Sequence, residues 1–214
     1  MNIVKTSIFI GIAIVYTVLV EYVDVKPIGP NESLVGFSYL NDHFHHLTGK
    51  NLLLYTITDW AGFVPIIIGI IYGFLGLIQW IKRKGITKVD KNILSLGIFY
   101  IITFLVYIIF EFVVINHRPI LIDGYLEASY PSSTTMLAIC FMTTSVFQTN
   151  KYFKNEKVKK ILFFIQMFFL AFMVIGRTIS GVHWLTDIIG GILFSIALIG
   201  IYCCINRAFK KNSI

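Results

Sequence analysis

The chain has 214 residues, of which 57% are hydrophobic types and only 14% are charged, and its mean hydropathy is +0.79. A soluble domain is nearer about half apolar and about a quarter charged, and one core of this size cannot hide so much apolar surface. A water-soluble enzyme, a disordered chain and a fibre are therefore disfavoured, and a multi-span membrane protein remains.

Uncharged runs give the elements in chain order. They lie between Lys5 and Glu21, Asp59 and Lys82, Lys91 and Glu111, Glu127 and Lys151, Lys160 and Arg177, and Asp187 and Arg207. A spanning helix needs about 20 mostly apolar residues. Four runs qualify directly, and the first and fifth extend past a charge at one end. The expectation is an all-α integral membrane protein, a six-span helical bundle in a single membrane domain over residues 1–214. Lys5 and the run after it could be read as a signal peptide. Glu21-Tyr22-Val23-Asp24 offers no small-residue cleavage site, so the run is read as an anchor.

The net charge of +7 sits in short basic clusters between the runs. This pattern argues for membrane topology and against nucleic-acid binding. With both termini in the cytoplasm, the clusters at 82–91, 151–160 and 207–211 lie inside together with Lys5. Only Lys26, Lys50, Arg118 and Arg177 lie outside, four of the 18 basic residues. The outer side then holds an interfacial loop at 24–58, a segment at about 116–133 and a short turn at 177–183. Apolar residues among polar ones, from Phe37 to Leu54, suggest a short helix in the membrane interface. Cys140, Cys203 and Cys204 show no metal-ligand spacing, and they are assigned no chemistry.

The expected topology brings four polar helix ends to one surface. Arg118-Pro119 follows the third span, and Pro131-Ser132-Ser133-Thr134-Thr135 opens the fourth. Arg177 closes the fifth, and His183 and Asp187 open the sixth. Ionisable residues at membrane depth are costly and usually functional. Arginine presents a donor fork suited to phosphate oxygens. A Pro-Ser-Ser helix start offers free N–H groups to anions. His183 and Asp187 are four apart and share a helix face, so the carboxylate can hold one imidazole nitrogen while the other attacks phosphorus.

These residues resemble a known family. Arg118-Pro119, Pro131-Ser132, and Arg177 followed after five residues by His183 and after three more by Asp187 resemble the three signature motifs of the type 2 phosphatidic acid phosphatases. That family belongs to the haloperoxidase-like superfamily. The resemblance covers about residues 90–206, as a phosphatase-like core, and six spans with an outward active site fit it. It implies a metal-free phosphatase with no cofactor, working through a phosphohistidine. By motif position His183 is the nucleophile, Asp187 its orienter, Arg118 and Arg177 the phosphate-binding pair, and Ser132, with Ser133 beside it, a further phosphate contact. Four positions depart from the pattern. Glu111 stands where the first motif has lysine, Ser133 and Thr134 where the second has glycine and histidine, and Gly176 where the third has serine. The histidine would protonate the leaving group. Glu111 and His117 are the candidate replacements, and Thr134 itself cannot act as an acid.

Plainer readings stand beside these. His183 and Asp187 fit a helix cap with an interfacial pair, and Ser132 to Thr135 an ordinary N-cap. Glu111, seven residues before Arg118, fits a partner on the same helix face. Asp42, His43, His45 and His46 lack rigid ligand spacing and fit a wet interfacial loop, and Asp123 and Glu127 fit solvated loop acids. The expected function is a cell-membrane lipid phosphatase. It would remove a phosphate or diphosphate from a long-chain lipid, polyprenyl diphosphate or phosphatidate in type, drawn from the bilayer. The alternative is a catalytically inactive relative that binds phospholipid head groups or a partner protein. A small transporter is disfavoured by the scarcity of ionisable residues within the runs.

Overall fold

The apolar runs of the sequence close into helices in the computed structural model, which describes residues 1–211. The elements are α1 (Ile3–Tyr22), α2 (Ser38–Thr48), α3 (Leu52–Ala61), α4 (Phe63–Arg83), α5 (Lys91–Phe112), α6 (Ser133–Tyr152), α7 (Glu156–Ile179) and α8 (Leu185–Lys211). Asn2, Asn51 and Asn155 start α1, α3 and α7 by accepting backbone N–H groups of the first turn, the usual task of an N-cap amide. Among the described residues no strand forms, and only isolated bridges occur, at Lys26–Val35, His117–Ala128 and Ile122–Tyr125. The protein is an all-α membrane bundle.

One segment differs from the sequence expectation. Residues 24–58 are not one interfacial loop. The chain folds back through the Lys26–Val35 bridge, forms α2, and by Leu52 has entered α3, which runs on into α4 as a stretch of 32 residues. The joint is at Gly62. Pro65 lacks the N–H that would bond back to Ala61, and its ring crowds that carbonyl, so the helix breaks just before it. The fourth span opens within the expected Pro131–Thr135 segment. Residues 116–129 form a tight hairpin, and α6 opens at Ser133.

Five helical stretches are long and apolar enough to cross a membrane: α1, α3 with α4, α5, α7 and α8. Helix α6 has 20 residues but a polar interior face, with Thr135, Thr144, Ser145, Gln148 and Thr149 buried. It can carry them because it is the central helix, packed against α4, α5, α7 and α8. Its polar groups find partners across the bundle. Gln148 donates to the Tyr202 hydroxyl at 2.9 Å, Gln166 donates to Ser145 at 2.9 Å, and the Tyr100 and Thr144 hydroxyls lie 3.1 Å apart. Buried polar groups are tolerable only when bonded in this way. The apolar core lies between α5, α6 and α8, where Phe99, Tyr100, Met136, Phe141, Leu198 and Tyr202 pack, with Tyr100 and Phe141 stacked at 4.0 Å.

Helices alternate in direction, so the end of α1, the start of α3, the end of α5, the start of α6, the end of α7 and the start of α8 gather at one end of the bundle. Helix α2 lies across that end. Asn41 is fully buried there. It donates to the Thr186 hydroxyl at 2.9 Å and accepts from the Thr186 N–H at 3.2 Å, which pins the first turn of α8. The turn between α7 and α8 requires glycine at Gly181. Its φ is +66°, and a Cβ would lie 1.8 Å from the Gly49 carbonyl oxygen.

Candidate active site

His183 sits in the turn before α8 and is buried with Asp187, Arg177 and Ser129, each less than 5% exposed. Its two ring nitrogens meet different partners. Nε2 receives Arg177 Nη2 at 3.2 Å and Arg118 Nη1 at 3.4 Å. Nδ1 lies 3.0 Å from the Ser129 hydroxyl. A guanidinium has donors only, so Nε2 offers its lone pair, and the ring is neutral with its proton on Nδ1. Burial first, and then the charges of Arg118 and Arg177, hold the His183 imidazole well below its ordinary pKa of 6.5.

Asp187 is in the first turn of α8 and reaches back to accept the Trp184 N–H at 2.9 Å, the acidic half of a capping box. The same carboxylate accepts Ser129 Oγ at 2.5 Å and Asn116 Nδ2 at 3.3 Å. Direct contact with the imidazole is longer, 3.9 Å from Nδ1. The expectation that Asp187 holds the imidazole directly is thus corrected, because Ser129 stands between them.

The hairpin explains how Ser129 and Asn116 arrive together. Asp123 and Gly124 both have positive φ, +48° and +84°, as the central pair of a type I′ turn requires. The arms then pair as Arg118 N–H to Glu127 O at 3.0 Å and Ser129 N–H to Asn116 O at 2.9 Å. The Asp-Gly pair was the signal for this hairpin in the sequence. Trp184 Nε1 donates to the His117 carbonyl at 2.7 Å and locks the hairpin to the α8 turn.

Outside this buried group lies a cavity of about 700 Å³, lined by Tyr55, Asp59, Tyr107, Glu111, His117, Arg118, Glu127, Ser133 and Thr134. His183 itself lines a small inner recess that shares Glu111, Arg118 and Ser133 with that cavity. Arg118 Nε is 3.0 Å from Glu127, and Arg177 Nη1 is 3.5 Å from Asp59. The Tyr55 ring faces both guanidiniums, 5.0 Å from Arg177 and 6.0 Å from Arg118, a cation–π arrangement.

The structure therefore gathers His183, Asp187, Arg118, Arg177, Ser133, Thr134, Glu111 and His117 at one place. Ser132 is buried behind them. Its hydroxyl donates to Thr135 Oγ1 at 3.0 Å, and its N–H donates to the Asp187 carbonyl. The reading of Glu111 as the helical partner of Arg118 is corrected: α5 ends at Phe112, and Arg118 pairs across the hairpin with Glu127, which is no free loop acid. Nor do Asp42, His43, His45 and His46 act as one wet group. His46 pairs with Asp42 at 3.4 Å, while His45 Nε2 meets the Gly181 carbonyl at 3.1 Å. Among the described residues no three His, Cys, Asp or Glu side chains are grouped to hold a metal.

The sequence matches the family model of the PAP2 superfamily over residues 93–211, more than half of the chain. The chain belongs to the PAP2 superfamily. The matched part runs from α5 to α8 and contains Arg118, Ser129, Arg177, His183 and Asp187. Helices α1 to α4 precede it and supply Asp59 and Tyr55. A solved structure, the crystal structure of a transmembrane PAP2-type phosphatidylglycerolphosphate phosphatase from Bacillus subtilis, shares the fold of this PAP2 chain. The TM-score is 0.60 at 18% identity, covering 97% of this chain and 96% of the other. Among curated proteins no significant sequence match is found. Four site residues escaped the sequence reading: Ser129, Asn116, Asp59 and Tyr55. Only the hairpin of the first two left a sequence signal, the Asp-Gly turn.

Proposed function

We propose that this PAP2 protein is a membrane-embedded lipid phosphatase that cleaves a phosphate or diphosphate from a long-chain lipid through a phosphohistidine on His183. One observation carries the reading: two guanidiniums converge on the bare Nε2 of a neutral, buried histidine. A phosphate that takes over those donors is delivered to the lone pair that attacks it. Nε2 forms a bond to phosphorus as the bond from phosphorus to the leaving oxygen breaks. The leaving oxygen takes a proton from water or a cavity acid. Water then attacks phosphorus, the N–P electron pair returns to Nε2, and the water supplies the proton that the first step consumed. Arg118 and Arg177 neutralise the charge of the transferring group. Ser133 extends the phosphate contacts, and His117, Glu111 and Glu127 are the nearby groups able to pass a proton. No metal enters this scheme, so EDTA leaves the rate unchanged.

In this proposal α6 is a sixth crossing, residues 1–214 are one membrane domain, and 90–206 is its catalytic core. The site faces outward from the cell membrane, with both termini cytoplasmic. The support is charge: the clusters at 82–91 and 151–160 lie at the bundle end opposite His183. A cysteine placed at Asp123 is expected to be labelled by an impermeant reagent in intact cells, and labelling only after permeabilisation reverses the orientation. For the function, purified protein in mixed micelles is expected to release phosphate from phosphatidate and from a polyprenyl diphosphate, and His183→Ala to release none. Lipid-phosphate binding without any phosphate release would support the non-catalytic reading instead.

A further inference from the structure

Asp187, in the first turn of α8, lies four residues after His183, in the turn before it, and the two do not meet directly. Asp187 Oδ2 stands 3.9 Å from His183 Nδ1, too far for a hydrogen bond. The Ser129 hydroxyl fills the gap, 2.5 Å from Asp187 Oδ2 and 3.0 Å from Nδ1. We infer that Ser129 is the positioning residue through which Asp187 acts on His183, so that the site runs carboxylate–hydroxyl–imidazole. The inference deepens the phosphohistidine reading and rests on it for its catalytic consequence.

The chemistry of the partners sets the direction of each bond. A hydroxyl has one proton and two lone pairs, and a carboxylate can only accept. The short contact to Asp187 is the charge-assisted one, so the Ser129 O–H points to the carboxylate. Its oxygen is then an acceptor for Nδ1–H. On the other side of the ring, both guanidiniums donate to Nε2. The two sides of the ring thus demand the same tautomer, protonated at Nδ1 and bare at Nε2. When Nε2 bonds to phosphorus, the ring keeps its Nδ1 proton and becomes cationic. The positive charge then strengthens the bond to Ser129 and, through it, the bond to Asp187.

Ser129 is held for this task by backbone as well as side chain. Its N–H donates to Asn116 O at 2.9 Å, and Asn116 Nδ2 donates to the other Asp187 oxygen at 3.3 Å. The hairpin therefore offers one donor to each oxygen of the carboxylate. Removing the hydroxyl cuts the link to Asp187 and leaves Nδ1 only the Ser129 backbone as a partner, so the ring is held less firmly in its tautomer.

The test has a spectroscopic and a kinetic arm. In protein carrying ¹⁵N-histidine, wild-type His183 is expected to show a protonated Nδ1 and a bare Nε2, and Ser129→Ala to show a mixture of tautomers. Ser129→Ala is expected to lower kcat about 10²-fold, the cost of a small misplacement of a reacting group, with KM unchanged. Ser129→Thr, which keeps the hydroxyl, restores both signals. The double variant Ser129→Ala/Asp187→Asn costs no more than the worse single change, because both cut the same chain of bonds. A wild-type His183 protonated on Nε2, an unaltered tautomer in Ser129→Ala, or additive losses in the double variant would each overturn the inference. If the wild type hydrolyses no lipid phosphate, the phosphatase reading fails, and the ¹⁵N measurement still decides the relay.

Discussion

The two walls of the site follow opposite rules. On the wall of α8 and the inner side of the hairpin, His183, Asp187 and Ser129 are buried and linked by hydrogen bonds through Ser129. On the wall of α3, α5, the start of α6 and the outer side of the hairpin, acids face an open cavity, with the side chains of Asp59 and Glu127 51% and 43% exposed. A buried charge without a partner costs several kcal/mol, whereas an exposed one costs little. The closed wall therefore tolerates few substitutions, and the open wall can vary. The Arg177–His183–Asp187 spacing survives on the closed wall, the departures at Glu111 and Thr134 face the cavity, and the departure at Gly176 is buried beside Arg177. In the proposed mechanism, attack on phosphorus falls to the first wall and the fit of the leaving group to the second.

Changes on the closed wall should be the most damaging. His183→Ala removes the attacking atom and is expected to lower kcat by about 10⁴-fold or more, the scale for losing the nucleophile of a catalytic unit. Retained phosphate release from this variant would assign the chemistry elsewhere. Arg177→Gln removes a charged donor from the same nitrogen. Charge-assisted hydrogen bonds contribute about 1.5–3 kcal/mol, so kcat/KM should fall about 10–10²-fold. A loss confined to expression level, with normal kcat/KM, would make Arg177 merely structural.

The closed wall was also the more legible from sequence, though not completely. The Arg177–His183–Asp187 spacing is local, so one helix turn and one helix start carry it. Arg118 was legible because an arginine beside an apolar run is costly. Ser129 was missed because its role depends on pairing across a hairpin, which places it opposite Asn116. Asp59 and Tyr55 were missed for a related reason: the second apolar run was read as starting at Asp59, whereas Asn51 caps a helix that begins at Leu52 and carries both side chains to the arginines. The span pattern read well where a helix is apolar throughout, as in α5. It was blurred in α6, whose Thr, Ser and Gln residues are buried against other helices rather than against lipid.

Acidity tests the closed wall. Burial and the two guanidiniums keep His183 neutral well below its ordinary 6.5. The unfolded chain takes up this proton near about pH 6.5, while the folded chain does not. Between the folded value and 6.5 the unfolded state binds more protons, so this histidine makes stability fall as pH drops through that window and leaves it level above. For catalysis, protonation would remove the lone pair. The acid limb of kcat/KM assigned to His183 is thus expected below 6.5, and Arg118→Gln is expected to move it upward, toward 6.5. A wild-type limb above 6.5, or one unmoved in Arg118→Gln, would show that another group controls the profile.

Thr134 tests the open wall by itself. It lies in the first turn of α6 and lines the cavity, where the related motif places a histidine that protonates the leaving group. A monoester expels an alkoxide, which needs that proton badly. A diphosphate expels a phosphate ester, whose second ionisation lies near about pH 6, so it can depart with little help. The cavity without the histidine is expected to favour the diphosphate. Thr134→His puts the acid back, and the cavity has room for an imidazole. General acid catalysis in an optimised site contributes about 10²–10⁴-fold, and a newly placed ring should recover about 10-fold of it. The gain should fall on monoester hydrolysis and leave the diphosphate of the same tail nearly unchanged. Because Thr134 lines the outer cavity and not the recess of His183 and Ser129, the acid limb and the effect of Ser129→Ala should be the same in both backgrounds. Equal gains on both substrates would remove the leaving-group explanation, and no gain on either would place the proton donor at Glu111, Glu127 or His117.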